Sequence, residues 1–228
     1  MKKWCVGSCC CLLASSLFAW NAEGHRLVAQ IALDYMTPAA KARFQVAHPL
    51  LDKSSNTPSS FTEAAVWFDT LRGMGFGLEG MHYVDIPVIM PGFSADEPLE
   101  IKPLNGLMAY NGARQTLLLG DKSTLEQIIV LRILLHVIAD LHQPLHAATR
   151  RTENNPNGDA GGNKTRLPYN QISRNLHTYW DKAGGFLSHE ISIQMRAHML
   201  EKKWPCDVEH ADKNPVHWLA ESHGIAEQ

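Results

Sequence analysis

Apolar residues recur at helical spacing along most of the chain. GHRLVAQIALDYM (24–36) repeats apolar side chains three and four apart, after which Thr37 and Pro38 restart a second helix as cap and first-turn proline. Ser60 with Glu63 forms a capping box ahead of FTEAAVWFDTLR (61–72), which is predicted to be one helix. Ser123 with Glu126 forms another ahead of TLEQIIVLRILLHVIADL (124–141), a segment apolar on nearly every face and therefore a central buried helix. NGLMAYNGARQTLLL, ISRNLHTYWDKA and LSHEISIQMRAHMLEKK predict further helices, and HYVDIPV (82–88) is the one extended stretch. Residues 150–171 form a long polar loop, a length that usually signals function or disorder. The expected fold is all-α, a helical bundle.

Ahead of these helices stands MKKWCVGSCCCLLASSLFA (1–19), which reads as a secretory leader: Lys2 and Lys3, a short apolar run, and a small residue, Ala19, before the cut. It is too short for a membrane span. Cleavage there predicts an exported protein, periplasmic or secreted, whose 20–228 portion is one domain. Four of the five cysteines leave with the leader, so Cys206 has no internal disulfide partner. Losing Lys2 and Lys3 takes the 21 basic residues to 19 against 23 acidic ones, a formal charge of −4. A general basic footprint for nucleic acid is therefore missing, and a phosphate-bearing partner has to be held by something other than a lysine patch. The twelve histidines are the compositional outlier.

Several of those histidines fall into a pattern. In HVIADLHQPLH (136–146), His136 and Asp140 are four apart and share one face of an otherwise apolar helix. Burying an imidazole and a carboxylate there is costly unless they pair with each other or ligate a metal. Pro144 disrupts the helix and brings His146 in from another direction. NLHTYWD repeats the spacing with His177 and Asp181. Two such pairs on two helices resemble imidazole-and-carboxylate metal chemistry in a helical bundle. Asp69 and His82 are upstream candidates for the same centre; taken singly, each reads as an ordinary surface charge and a partly buried histidine. An amine exposed at Trp20 by leader removal is a further candidate, since that nitrogen and the Trp20 carbonyl can close a chelate ring, with His25 one helical turn or so away. Nitrogen and oxygen donors without thiolate suit zinc, and equally manganese or iron.

Trp20 with GHRLVAQIA, AVWFDTLR, HYVD, LLHVIADLHQPLH, GDAGGN and NLHTYWD, in that order, resemble the zinc-dependent single-strand nucleases of fungi and plants (the S-one/P-one type), and more distantly the zinc phospholipases C. The resemblance covers most of Trp20 to Asp181, and WLAES near the end is also similar. It implies the helical fold of that superfamily, with three Zn2+ in one cleft. Asp69, His82, His136 and Asp140 would hold the first, and His146, His177 and Asp181 the second. The Trp20 amine and carbonyl, His25 and Asp140 would hold the third, Asp140 bridging two ions. Asp69, Arg72 and Asp140 would be catalytic, with Arg72 on the phosphate one turn along the helix from Asp69. Tyr83, Asp85 and Asn163 would bind substrate, and Asn175 would support the cleft edge. The implied substrates are single-stranded DNA or RNA and nucleotides, cut to 5′-phosphorylated products, with removal of 3′-phosphates. His142 would help end its helix, and His48, His189, His198, His210, His217 and His223 would be surface or packing residues.

Phe68 and Met81 depart from the family pattern, and relatives continue through further C-terminal helices beyond WLAESHGIAEQ. An exposed apolar face is expected there. Two other readings stand beside the nuclease. One is a zinc phospholipase C, for which the resemblance would put Glu at Asp181; the other is a non-catalytic zinc-binding remnant.

Overall fold

The computed structural model describes residues 20–47, 60–94, 98–120, 124–188 and 190–228. The expected leader, Ser123 of the second capping box, His48 and His189 lie outside those residues. The architecture is helical, as expected. Helix α1 (Ala22–Tyr35) is capped by Asn21, whose side chain accepts from the Gly24 amide, and α2 (Pro38–Ala47) follows. Next come α3 (Phe61–Ala64), α4 (Gly106–Leu119) and α5 (Thr124–Leu141), then α6 (Leu176–Asp181), α7 (Ile193–Lys203) and α8 (Pro215–Ala226).

Four segments differ from the sequence expectation: in LSHEISIQMRAHMLEKK the helix starts only at Ile193, where Ser192 caps it, and the other three differ for the following local reasons. FTEAAVWFDTLR is not one helix: α3 ends at Ala64, and a 3-10 turn occupies Trp67–Leu71. Val66, Trp67 and Phe68 are poor helix formers because their side chains lose rotamers against the preceding turn. Ser60 caps α3 through the Glu63 amide, but the Glu63 carboxylate pairs with Arg26 at 2.7 Å instead of returning to Ser60, so half the capping box forms. In HYVDIPV, His82 closes a 3-10 turn (Glu79–His82), and only β1 (Pro87–Ile89) pairs. Its parallel partner, β2 (Thr149–Arg151), comes from the start of the polar loop, which the sequence did not mark as extended. ISRNLHTYWDKA becomes helical only at Leu176. Before it, the Asn170 side chain accepts from the amides of Ile172 and Ser173, both at 2.9 Å, offering the backbone an alternative to helix, and Asn175 then caps α6.

The main apolar cluster gathers Phe68, Val84, Tyr110, Val137, Leu141 and Trp218, so α5 is clamped between α4, α8 and the Trp67–Leu71 turn. Leu27, Leu187 and Ala197 pack on one flank, and Ala29, Phe61 and Ala65 on another. Ser222 of α8 donates to the Leu141 carbonyl at 2.8 Å and His223 to Ala147 at 2.9 Å, tying the last helix to the end of α5. Exposed apolar side chains remain at Val216 and Ile225 of α8 and at Leu118 and Leu119 of α4. Among the described residues no helix is long and apolar enough to cross a membrane.

Candidate metal centre and substrate cleft

The C-terminal half of α5 carries His136 and Asp140 on one face, both fully buried. His136 Nδ1 bonds the Ala65 carbonyl at 2.7 Å. A carbonyl only accepts, so Nδ1 carries a proton, and Nε2 is the nitrogen left to bind a metal once its own proton is lost. That Nε2 lies 3.1 Å from Asp140 Oδ2, 3.6 Å from Asp69 Oδ1 and 2.9 Å from His82 Nδ1. His82 Nδ1 is itself 3.1 Å from Asp140 Oδ2 and 3.7 Å from Asp69 Oδ1. On the other side of Asp140, Oδ1 is 3.4 Å from His25 Nε2, and the His25 ring stacks on His136 with centroids 3.8 Å apart. The two oxygens of Asp140 thus face two different groups of imidazoles.

A second group lies beyond Leu141. Pro144 starts a 3-10 turn, Pro144–His146, that re-aims His146 as expected. His146 Nδ1 donates to the His82 carbonyl at 2.9 Å, and His177 Nδ1 donates to Gly161 at 2.6 Å, which leaves both Nε2 atoms with lone pairs. The rings stack at 5.1 Å, and His177 Nε2 is 3.7 Å from Asp181 Oδ2. Asp181 Oδ1 accepts from Gln143 Nε2 at 2.8 Å. Gly161 has φ +59, and a Cβ on it would run into the Leu145 carbonyl, so only glycine lets the loop pass close enough to reach His177.

The donor chemistry of these residues fits a metal. Both ring nitrogens of His25, His82 Nε2, Asp69 Oδ1 and Asp140 Oδ1 are buried without a hydrogen-bond partner. Lone pairs left so in a core cost free energy unless an ion takes them. Three sets bring their ligand atoms within 4.8 Å of one another: His25–His136–Asp140, Asp69–His82–His136 and His146–His177–Asp181. Trp20 lies against the same region. Its indole Nε1 donates to the Ala139 carbonyl at 3.0 Å, and the Asn21 amide donates to the Asp181 backbone carbonyl at 3.1 Å.

Above these groups opens a cleft of about 190 Å3, lined by His146, His177, Arg72, Tyr83, Asp85 and Asn163 together with Lys102 and Lys164. Arg72 Nε is 3.3 Å from Asp69 Oδ1. The expected helical turn between them is a 3-10 turn, in which residues three apart eclipse, so the pair meets all the same. Burial raises the Asp85 carboxyl and Lys102 draws it part of the way back. Asn163 is braced, its Nδ2 donating to Ala160 at 2.8 Å and its carbonyl accepting from Asn175 Nδ2 at 2.6 Å. His142 bonds the Ile138 carbonyl at 2.7 Å within its own helix, and His210 and His217 pair with Asp207 and Asp212 at the surface.

Residues 20–228 match the S1/P1 Nuclease family. The chain belongs to the S1/P1 nuclease family. Nuclease S1 of Aspergillus oryzae (strain ATCC 42149 / RIB 40) is 27% identical over 187 residues, covering 76% of this chain and 59% of that protein. Nuclease P1 of Penicillium citrinum is 28% identical over 166 residues, 71% and 57% of the two. Endonuclease 4 of Arabidopsis thaliana is 27% identical over 180 residues, 74% and 56%. The chain therefore spans more than half, and less than two thirds, of the length of these relatives.

For this S1/P1 family chain, sequence reasoning gave no role to two cleft lysines or to Gln143 and Gly161 beside the ligand side chains. Lys102 and Lys164 bring positive charge to a cleft for which no lysine patch was expected, and nothing in IKPLN or GNKTR marks them for it. Gln143 and Gly161 set the orientation of Asp181 and His177. A glutamine between His142 and Pro144, next to a buried helix end, was a legible signal for the first.

Proposed function

We infer that the chain is an exported, zinc-dependent nuclease, hydrolysing phosphodiester bonds of single-stranded DNA and RNA to 5′-phosphorylated products and removing 3′-phosphates from nucleotides. The observation that carries this reading is the convergence of unpartnered, buried imidazole and carboxylate atoms under a cleft that Arg72 lines. Asp69, His82, His136 and Asp140 would hold one Zn2+, His146, His177 and Asp181 a second, and the Trp20 amine and carbonyl, His25 and Asp140 a third. Nitrogen and oxygen donors suit zinc. Bound there, zinc supplies Lewis acidity, acidifying water and offsetting phosphate charge.

The protein side chains do the rest. Asp140 faces two imidazole groups with separate oxygens, which supports its bridging role. Arg72, fixed by Asp69, presents a planar guanidinium to a phosphate in the cleft, where it steadies charge developing on the oxygens. The Tyr83 ring offers a face for an unpaired base and Asp85 an acceptor for its edge, contacts that require a base splayed out of a duplex. Asn163 lines the same cleft. Removal of residues 1–19 would free the Trp20 amine, and the contacts of Trp20 and Asn21 with Ala139 and Asp181 support a position beside the metal groups.

The test compares zinc-loaded protein beginning at Trp20 with protein that keeps one Met ahead of it, on single-stranded DNA, with and without chelator. Chelator-sensitive release of 5′-nucleotides, sharply reduced by the extra Met, is expected, because an amide nitrogen lacks the lone pair of an amine. Absence of release from folded, zinc-bound protein would overturn the nuclease reading, and equal activity and zinc content in the two forms would remove Trp20 from the ligand set.

A further inference from the structure

The cleft does not end at Asn163 and Lys164. These two residues also line a second, more polar groove that leads away from the metal groups and is bordered by Arg166 and Arg174. Its charge is segregated: residues 160–175, AGGNKTRLPYNQISRN, hold three cations and no carboxylate in a chain whose net charge is −2. Asp159, just before them, is buried and turned inward, accepting from Thr165 Oγ1 at 2.7 Å and from the Arg150 amide at 2.9 Å. Arg166 and Arg174 are exposed, and neither has an ion-pair partner among the described residues.

The groove is also held in shape. Its two arms are joined by backbone bonds from Leu167 to Arg174 at 2.9 Å and from Leu176 to Thr165 at 3.1 Å, with an antiparallel bridge between Arg166 and Asn175. The Arg174 guanidinium lies over the Tyr169 ring, 5.2 Å from its centroid, which limits its rotamers without neutralising it. Two unpaired guanidinium groups on a braced backbone, one of them held over an aromatic ring, leading out of a phosphate-binding cleft suit a polyanion with regularly spaced charges.

We propose that Arg166 and Arg174 hold the phosphodiester backbone of a single strand where it leaves the cleft, so that the chain favours long strands over dinucleotides. The proposal rests on the nuclease reading for its choice of substrate. Its test uses zinc-loaded protein carrying Arg166→Gln and Arg174→Gln together, both exposed positions outside the cleft. Two quantities are measured against the unaltered protein: kcat/KM on a long oligothymidylate and on a thymidine dinucleotide, and the Kd for a fluorescently labelled oligothymidylate across a salt series. Binding and cleavage of the long strand should weaken about tenfold at low salt, the loss falling in KM, while the dinucleotide is unaffected. The slope of log Kd against log salt should become shallower by about 1.4, two phosphate contacts at roughly 0.7 each. Equal behaviour of the two proteins in binding and salt slope overturns the proposal, as does a parallel loss on both substrates. If the unaltered protein cleaves nothing, the nuclease reading fails, and the binding series still decides whether these arginines hold a strand.

Discussion

The two halves of the candidate metal centre are built from the same residue types at the same spacing, and their electrostatics are opposite. Around Asp140, burial alone would raise the carboxyl, but His136 and His146 outweigh it and hold the group well below the usual carboxylate range. Burial likewise opposes charge on His136, and there Asp140 and Asp69 win, raising it. The pair is charged and self-compensated. Around Asp181, burial is not offset: the hydrogen bond from Gln143 is too little, and the carboxyl is pushed up to about 9. Burial also drives His146 down to about 3, and it lowers His82 to about 4. The separations account for the contrast. His136 and Asp140 approach to 3.1 Å with His82 equally near the same oxygen, whereas His177 and Asp181 stand 3.7 Å apart. The carboxyl of an i, i+4 His/Asp pair is therefore lowered or raised according to what else the fold brings within reach.

Replacing the two carboxylates is the strongest way to break this contrast. Asp140→Asn should cost the metal-free protein about 3–5 kcal/mol, because it strips a buried charge pair of one partner. It should also empty two metal groups and bring hydrolysis to background; denaturant unfolding and elemental analysis read the two effects. Unchanged stability together with full metal content would show that Asp140 serves neither group. Arg72→Gln ranks next. It removes a cation that bears on both halves, so turnover should fall by roughly two orders of magnitude, the usual loss for one preorganised charge-stabilising donor, with metal content retained. A drop in metal content instead would make Arg72 a structural partner of Asp69.

The smallest effect sharpens the contrast through pH. The folded-state value of Asp181, about 9, lies above its ordinary 3.8. Between those values the unfolded chain gives up the proton that the folded chain keeps. Its stabilising contribution is therefore complete below pH 3.8 and is lost as pH rises toward 9, by up to about 1.4 kcal/mol per pH unit. Above the ordinary histidine range, from pH 7.5 to pH 8.5, thermal melts of metal-free protein should show Tm falling, and Asp181→Asn should flatten that fall. The same proton must leave when metal binds, so loading the His146–His177–Asp181 group at pH 7 should release it to the buffer. Melts of Asp181→Asn with the original slope would assign the pH dependence to another group.

How much of this was legible varied with distance along the chain. His136 with Asp140 and His177 with Asp181 stood out because a polar pair at one-turn spacing in an apolar helix has few innocent explanations. The helices α1, α4, α5 and α7 followed from periodicity and caps. The break in FTEAAVWFDTLR, the strand pair β1–β2 and the late start of α6 did not, because bulky side chains near Phe68, a partner strand about sixty residues away and the Asn170 turn decided them.

The sequence by itself determined the helical class, the inventory of nitrogen and oxygen donors and the pairs that share a turn, since helix geometry fixes the neighbours of residues three and four apart. Only the tertiary structure decided which groups those donors join. His82 meets His136 across 54 residues, His25 stacks on the same ring, and the carbonyls of Ala65, His82 and Gly161 choose the nitrogen that carries each proton. Such contacts depend on how whole elements pack, a relation that no spacing within a single element encodes.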